Sequence, residues 1–202
     1  MIRIILTLSS ICSAAFLLSG CLSPIKSGPD NSYLINTLPK STAKKREHNS
    51  ILLVAPTDTV PAYNTTQMAY TNKPYQLAYF AENRWADTPT QMITPLIVEA
   101  LQNSNYFRAV ITPPYAGHYD YALGTQIITL KQDFTQQPAV MRLTLRAQLN
   151  RVATGQLIAN KQFNITVPLQ QKTPYYGVIA ANQATSTMLQ ELTSFVTTHL
   201  PE

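Results

Sequence analysis

The chain has 202 residues, of which 45% are apolar and 12% charged, with a formal net charge of +5. That balance excludes a basic nucleic-acid footprint, and the apolar share suffices for the core of one domain of ordinary size. With 6 glycines and 2 cysteines, there is little room for a phosphate-cradling loop and none for a disulfide framework.

The first residues read as an export signal. Met1-Ile2-Arg3 is a short positive segment, and Ile4 to Leu18 is mostly apolar, interrupted by Thr7, Ser9, Ser10 and Ser13. This run is too short and too interrupted to span a bilayer, which takes about 20 apolar residues. Leu18-Ser19-Gly20-Cys21 follows, and resembles the lipobox of bacterial lipoproteins. Small residues let the chain enter a peptidase site extended. The Cys21 thiol is the one group there nucleophilic enough to take a diacylglyceryl chain as a thioether. The expected products are a cleaved signal peptide, 1–20, and a lipidated Cys21 whose several acyl chains exceed the threshold for stable membrane attachment. Cys12 and Arg3 leave with the signal, so the mature chain has 182 residues, a net charge of +4 and no second thiol.

Residues 21–31 are rich in Ser, Pro and Gly and read as a flexible tether; the folded domain is then expected over 32–202. Tyr33-Leu34-Ile35 reads as a short first strand. Lys40, Lys44, Lys45 and Arg46 form the basic cluster of the chain, which suits either a solvated linker or contact with anionic lipid headgroups. Ile51 to Ala55 is a continuous apolar run stopped by Pro56, as in a buried strand. Residues 57–85 suggest short extended pieces with many tyrosines. A helix follows, with Thr88 as cap, Pro89 at its first position and Gln91 completing a capping box. Met92, Ile93, Leu96, Ile97, Ala100 and Leu101 form its apolar stripe, which continues through Pro95, where a lost hydrogen bond and a kink are expected. Asn103 to Asn105 end it, and Tyr106 to Ile111 reads as a strand.

Three longer strands come next. Asp120 to Phe134 holds two alternating patterns that change phase at Ile127-Ile128, which predicts a bulge. Met141, Leu143, Leu145, Ala147 and Leu149 alternate with Arg142, Thr144, Arg146 and Gln148. After a turn ending at Gly155, Leu157, Ala159, Phe163, Ile165 and Val167 alternate with polar residues. Strands apolar on one face and polar on the other belong to an antiparallel sheet wet on one side. A last helix, Tyr176 to His199, presents Ala181, Ala184, Met188, Leu192, Phe195 and Val196. The expected fold is α+β, a two-layer sandwich of a mostly antiparallel sheet with two helices on one face.

Catalytic signatures are not visible. His48, His118 and His199 are far apart and lack metal-ligand spacing. There is no HExxH and no Gly-x-Ser-x-Gly, and Asp120 between Tyr119 and Tyr121 reads as a strand-start residue. The expectation is no enzyme, no metal and no cofactor. The segment from Tyr63 to Trp85 stands out instead, with Tyr63, Tyr70, Tyr75, Tyr79, Phe80 and Trp85. These residues suit a core between loops and sheet, or an interface, since Tyr and Trp are apolar at one end and hydrogen-bonding at the other. The residues alone weigh equally for both.

Met68-x-Tyr70, Tyr75, Tyr79, Arg84-Trp85-Ala86 and Pro89 resemble the signature of the ABC-type transport auxiliary lipoprotein family. Tyr33-Leu34, Ile51 to Pro56, Phe107 to Val110 and Asp120 to Leu123 extend the resemblance over most of the mature chain. Thr71 departs from it, at a position where a basic residue is expected after the tyrosine. The resemblance implies a periplasm-facing lipoprotein, usually on the outer membrane, that serves as docking or adaptor subunit of an ABC or mammalian-cell-entry (MCE) type system moving phospholipid or other hydrophobic molecules. Leu22 after the lipidated cysteine is not the aspartate that retains lipoproteins on the inner membrane. A ring-shaped homo-oligomer is compatible with the resemblance. Tyr70, Tyr75, Tyr79, Arg84, Trp85 and Pro89 would shape a contact surface or order the loops that do, with Arg84 and Trp85 stacking as a cation–π pair.

Two other classes compete: a regulatory lipoprotein that activates a cell-wall enzyme, and a lipid-binding lipoprotein that acts alone. Fold does not separate them. A tether of about ten residues reaches roughly 20 Å as a coil, which disfavours a regulator that must cross much of the periplasm. A stand-alone binder needs an apolar pocket of a few hundred cubic ångströms.

Overall fold

The computed structural model describes residues 31–40 and 48–200. The signal peptide, Cys21, the tether as far as Asp30, and Lys44, Lys45 and Arg46 lie outside these residues. The described chain forms a nine-stranded mixed sheet and two long helices. In chain order the elements are β1 (Asn31–Tyr33), β2 (His48–Val54), β3 (Asp58–Thr59), a 3-10 helix (Pro61–Tyr63), β4 (Gln67–Thr71), β5 (Ala78–Trp85), α1 (Pro89–Gln102), β6 (Phe107–Ile111), β7 (Tyr121–Asp133), β8 (Val140–Arg151), β9 (Gln156–Pro168) and α2 (Pro174–His199).

The sheet is organised around β7. On one edge, β8 and then β9 form long antiparallel ladders. The other edge is shared in succession by β2, β3 and β4, all parallel to β7. Beyond them, β6 pairs with β2, β5 with β4 and β1 with β5. The long ladders are antiparallel, as the alternating patterns required, while the short outer pairings are mostly parallel. The register of β7 on β8 shifts between Ile127 and Thr129, so the phase change in the sequence is a bulge. It lets Ile127 and Leu130 both enter the core although they are three positions apart.

Both helices cover one face. Every residue of the expected stripes is buried: Met92, Ile93, Leu96, Ile97, Ala100 and Leu101 on α1, and Ala181, Ala184, Met188, Leu192, Phe195 and Val196 on α2. They meet Met141, Leu143, Leu145, Ala147 and Leu149 of β8 and Phe163, Ile165 and Val167 of β9 in a single core. Helix α1 runs through Pro95 uninterrupted, with that proline on its exposed side. Proline has no N–H to offer the Gln91 carbonyl one turn earlier, so the helix forgoes that hydrogen bond on its exposed side.

Several local expectations need correction. The first strand lies over Asn31–Tyr33, not Tyr33–Ile35, because Ile35 leaves the sheet to enter the core. Asn31, grouped with the tether by composition, belongs to the sheet. The Thr88–Gln91 capping box does not form: the Thr88 hydroxyl lies 3.2 Å from that of Thr90, and the Asp87 carboxylate accepts the Thr88 N–H at 2.6 Å. Asp87 thus takes the hydrogen bond that Gln91 would have taken. Helix α2 begins at Pro174, two residues early, since the Thr173 hydroxyl accepts the Tyr176 N–H at 3.3 Å. Leu157 is exposed, because the β8–β9 register slips between Leu149 and Asn150 and reverses the alternation there. Asp120 immediately precedes β7, which begins at Tyr121; its carboxylate accepts the Ile51 N–H at 2.8 Å and so ties β2 to the start of β7.

Candidate functional site

The aromatic segment divides between core and surface. Tyr63 and Trp85 are buried, Trp85 at 3% exposure. Burial pushes the Tyr63 hydroxyl above its ordinary range, against the lowering effect of a hydrogen bond with Thr129. Tyr79 is half-buried, and its hydroxyl donates to the Ala62 carbonyl at 2.9 Å, fastening the 3-10 helix to β5. Trp85 lies opposite Tyr33 in the β1–β5 ladder, its N–H donating to Thr66 O, while the Ala86 N–H donates to Tyr33 O, each at 2.7 Å. Pro89 is buried at the start of α1. Arg84 is exposed although Trp85 is buried. Consecutive residues of a strand face opposite sides, so β5 directs the two side chains to opposite faces of the sheet.

Tyr70 sits half-buried in an aromatic cluster with two residues that carried no expectation of contact. Its ring centroid lies 4.5 Å from that of Phe80 and 5.9 Å from that of Phe134, and Phe80 meets Phe134 edge-on at 6.3 Å. The cluster closes the end of the sheet where the β4–β5 hairpin turns. At the tip of that hairpin Tyr75 is fully exposed (108%), with Leu77 partly so. Tyr75 has φ of 64°, a left-handed conformation uncommon for an aromatic residue. Thr71, the departure from the family pattern, is buried and accepts a hydrogen bond from Lys131 Nζ at 3.0 Å while donating to Gln76 O at 2.9 Å. A cation thus reaches this point from β7.

The same end of the molecule carries the N-terminus of α2. Tyr175 lies 6.1 Å from Tyr33 and 6.1 Å from Tyr176, centroid to centroid. Asn182, one turn past Val178, holds the segment after β1 against α2. Its amide donates to Leu34 O at 2.9 Å and to Val178 O at 3.1 Å, and accepts from Asn36 N and Thr37 Oγ1 at 2.9 Å each. Sequence reasoning missed Asn182, Tyr175 and Phe134. A polar residue interrupting the apolar stripe of a helix was the one available signal, and it points only to Asn182.

Two other features bear on ligand binding. An open groove of about 760 Å³ along α1 is lined by Val54, Pro56, Pro95, Val98 and Pro113 together with polar residues. A smaller cavity of about 160 Å³ lies between α1 and α2 beside Lys40 and Tyr106, below the size usual for small-molecule sites. Among the described residues no His, Cys, Asp and Glu group could hold a metal, and no helix is long and apolar enough to cross a membrane.

A family model described as the ABC-type transport auxiliary lipoprotein component matches residues 33–193. No curated protein matches the chain. Among solved structures, a Xanthomonas campestris protein of the DUF330 family is similar at 19% identity with a TM-score of 0.73, covering 83% of this chain and 94% of that one. A hypothetical protein from Chlamydia trachomatis is similar at 8% identity with a TM-score of 0.52, covering 75% and 98%. At these identities the likeness is one of fold.

Proposed function

This chain belongs to the ABC-type transport auxiliary lipoprotein component family, and from that premise we propose that it is a membrane-anchored, periplasm-facing adaptor of an ABC/MCE-type system moving phospholipid or other hydrophobic molecules between membranes. Lipid on Cys21 holds it to the outer membrane, and the folded domain receives the partner.

The observation that carries the reading is the extent of the family match. It starts at Tyr33, within β1, and ends inside α2, so the sheet and most of both helices belong to it. Tyr75 adds support for a docking role. An aromatic side chain held wholly in solvent, on a hairpin whose base is fixed by the Tyr70, Phe80 and Phe134 cluster, is the kind of residue that anchors interfaces. The groove along α1 is open and partly polar, which suits a stand-alone lipid carrier less well than an enclosed apolar pocket would.

The test is photo-crosslinking in intact cells from a reactive residue in place of Tyr75, followed by identification of what is joined to it. Transporter permease, ATPase or MCE-type subunits are expected, and adducts between copies would report the homo-oligomer. Recovery of cell-wall synthases alone would sink the adaptor reading. Separation of inner and outer membranes by density tests the placement independently.

A further inference from the structure

We propose that the surface formed by Tyr33, Leu34, Tyr175 and Ile179 rests on the phospholipid surface to which the chain is tied, so that the domain is oriented on the membrane as well as tethered to it. This rests on the reading of Cys21 as the lipid anchor.

The patch is built by two segments lying side by side. Tyr175, Ile179 and Asn182 recur at helical spacing on one face of α2. Asn182 binds the Leu34 carbonyl, and Tyr33 lies against Tyr175, so the segment after β1 is fastened along that face. Both segments keep large apolar side chains in water: Leu34 is 55% exposed, Tyr175 56% and Ile179 40%. Solitary exposed apolar residues need no explanation, but a contiguous group marks a contact surface.

What covers it follows from where the chain goes. Nine residues separate Cys21 from Asn31, where β1 begins. Even fully extended they span at most about 35 Å, and Leu34 lies three residues beyond. A lipidated Cys21 therefore confines this edge of the domain to the neighbourhood of the bilayer. Its chemistry suits that neighbour. Tyrosine, apolar in body and polar at its tip, is favoured at the boundary between hydrocarbon and water. Residues 31–40 and 172–190 hold Lys40 and Lys172 and no carboxylate, so nothing acidic on these segments repels anionic headgroups.

The mature chain has Cys21 as its one cysteine, so a reporter thiol can be placed at will. Leu34→Cys, Ile179→Cys and, on the opposite face of the sheet, Gln148→Cys are all exposed positions, with circular dichroism as the check on folding. Each lipidated variant, labelled with a fluorophore, is reconstituted into vesicles of mixed zwitterionic and anionic phospholipid with brominated acyl chains. Quenching several-fold stronger at residues 34 and 179 than at 148 is the expected result. Equal quenching at all three, on protein that carries acyl mass and floats with the vesicles, overturns the patch and leaves the anchor standing. Self-quenching between copies without lipid quenching assigns the patch to a second copy of the chain and likewise overturns it. Protein without acyl mass on Cys21, left behind by the vesicles, overturns the anchor and with it the proposal.

Discussion

The side chain of Gln132 occupies the space that a Cβ on Gly177 would need, with its amide carbon, nitrogen and oxygen all in overlap. Gln132 is buried on β7, and its Nε2 donates to Pro174 O at 3.4 Å at the start of α2. Glycine inside a helix ordinarily costs about 1 kcal/mol relative to alanine, so Gly177→Ala would stabilise an open position. Here the sign reverses. Gly177→Ala is expected to destabilise the fold by about 1–3 kcal/mol through overpacking, and Gln132→Ala in the same chain should restore much of the loss. Urea denaturation of the two single variants and the double variant measures this coupling; a higher midpoint for Gly177→Ala alone would refute the close packing.

A second prediction concerns acid. The Asp133 carboxylate accepts from Thr135 Oγ1 at 2.5 Å, Thr135 N at 3.0 Å and Arg142 Nε at 2.8 Å. Burial alone would raise its pKa, but these hydrogen bonds and the Arg142 charge outweigh burial and hold it below the ordinary 3.8. A depressed folded pKa contributes stability that is complete above the unfolded value and is lost as pH falls through the folded one. Wild-type stability should therefore decline below about pH 4. Asp133→Asn should cost about 1–2 kcal/mol at neutral pH, a modest figure because Arg142 is partly exposed. It should also flatten the acid decline. Denaturation midpoints for both proteins across pH 3 to 7 would show it, and parallel profiles would contradict it.

Much of this architecture was legible in the residues, and the reason is periodicity. The stripe from Met141 to Leu149 and the phase change at Ile127-Ile128 are local patterns with period 2, and the helical stripes have period 3.6. What was not legible depends on competition between hydrogen-bond partners and on contacts between residues far apart in sequence. Asp87 displaced Gln91 at the α1 cap through a hydrogen bond that spacing could not rank. The parallel use of one edge of β7 by β2, β3 and β4 leaves no trace in any one strand. The aromatic segment could be noticed but not sorted, because Tyr63 in the core and Tyr75 in water differ by their partners and not by their type.

Cys21→Ser separates anchoring from folding. Cys21 lies ahead of β1, and no described element includes it, so the variant domain should unfold at the wild-type midpoint. A hydroxyl is a far weaker nucleophile than a thiol, so no thioether to diacylglycerol forms and the signal stays uncleaved. Mass spectrometry should find an unprocessed, acyl-free chain, and membrane fractions should lose the mature form. Fully processed Cys21→Ser protein on the outer membrane would remove the basis for the anchor.

Asn182→Ala tests whether the segment that follows β1 is held by α2 or only by its own short strand. β1 has three residues, and its ladder to β5 is an outer pairing of the sheet. A three-residue edge strand is marginal by itself, and Ile35 is the next residue beyond it that is anchored in the core. Asn182 supplies a donor to Leu34 O and an acceptor to both Asn36 N and Thr37 Oγ1. Its loss leaves these groups to water, since Leu34, Asn36 and Thr37 are all exposed. The expected cost is accordingly at the low end for several hydrogen bonds, about 1–2 kcal/mol. The effect should also be local: faster amide exchange at Asn36, with β7 and β8 amides unchanged apart from the global shift. Asn182→Asp keeps the acceptor and loses the donor, so it should leave Asn36 more protected than alanine does. Hydrogen exchange read residue by residue decides the matter; unchanged exchange at Asn36 in the alanine variant would mean that β1 and Ile35 hold the segment without α2.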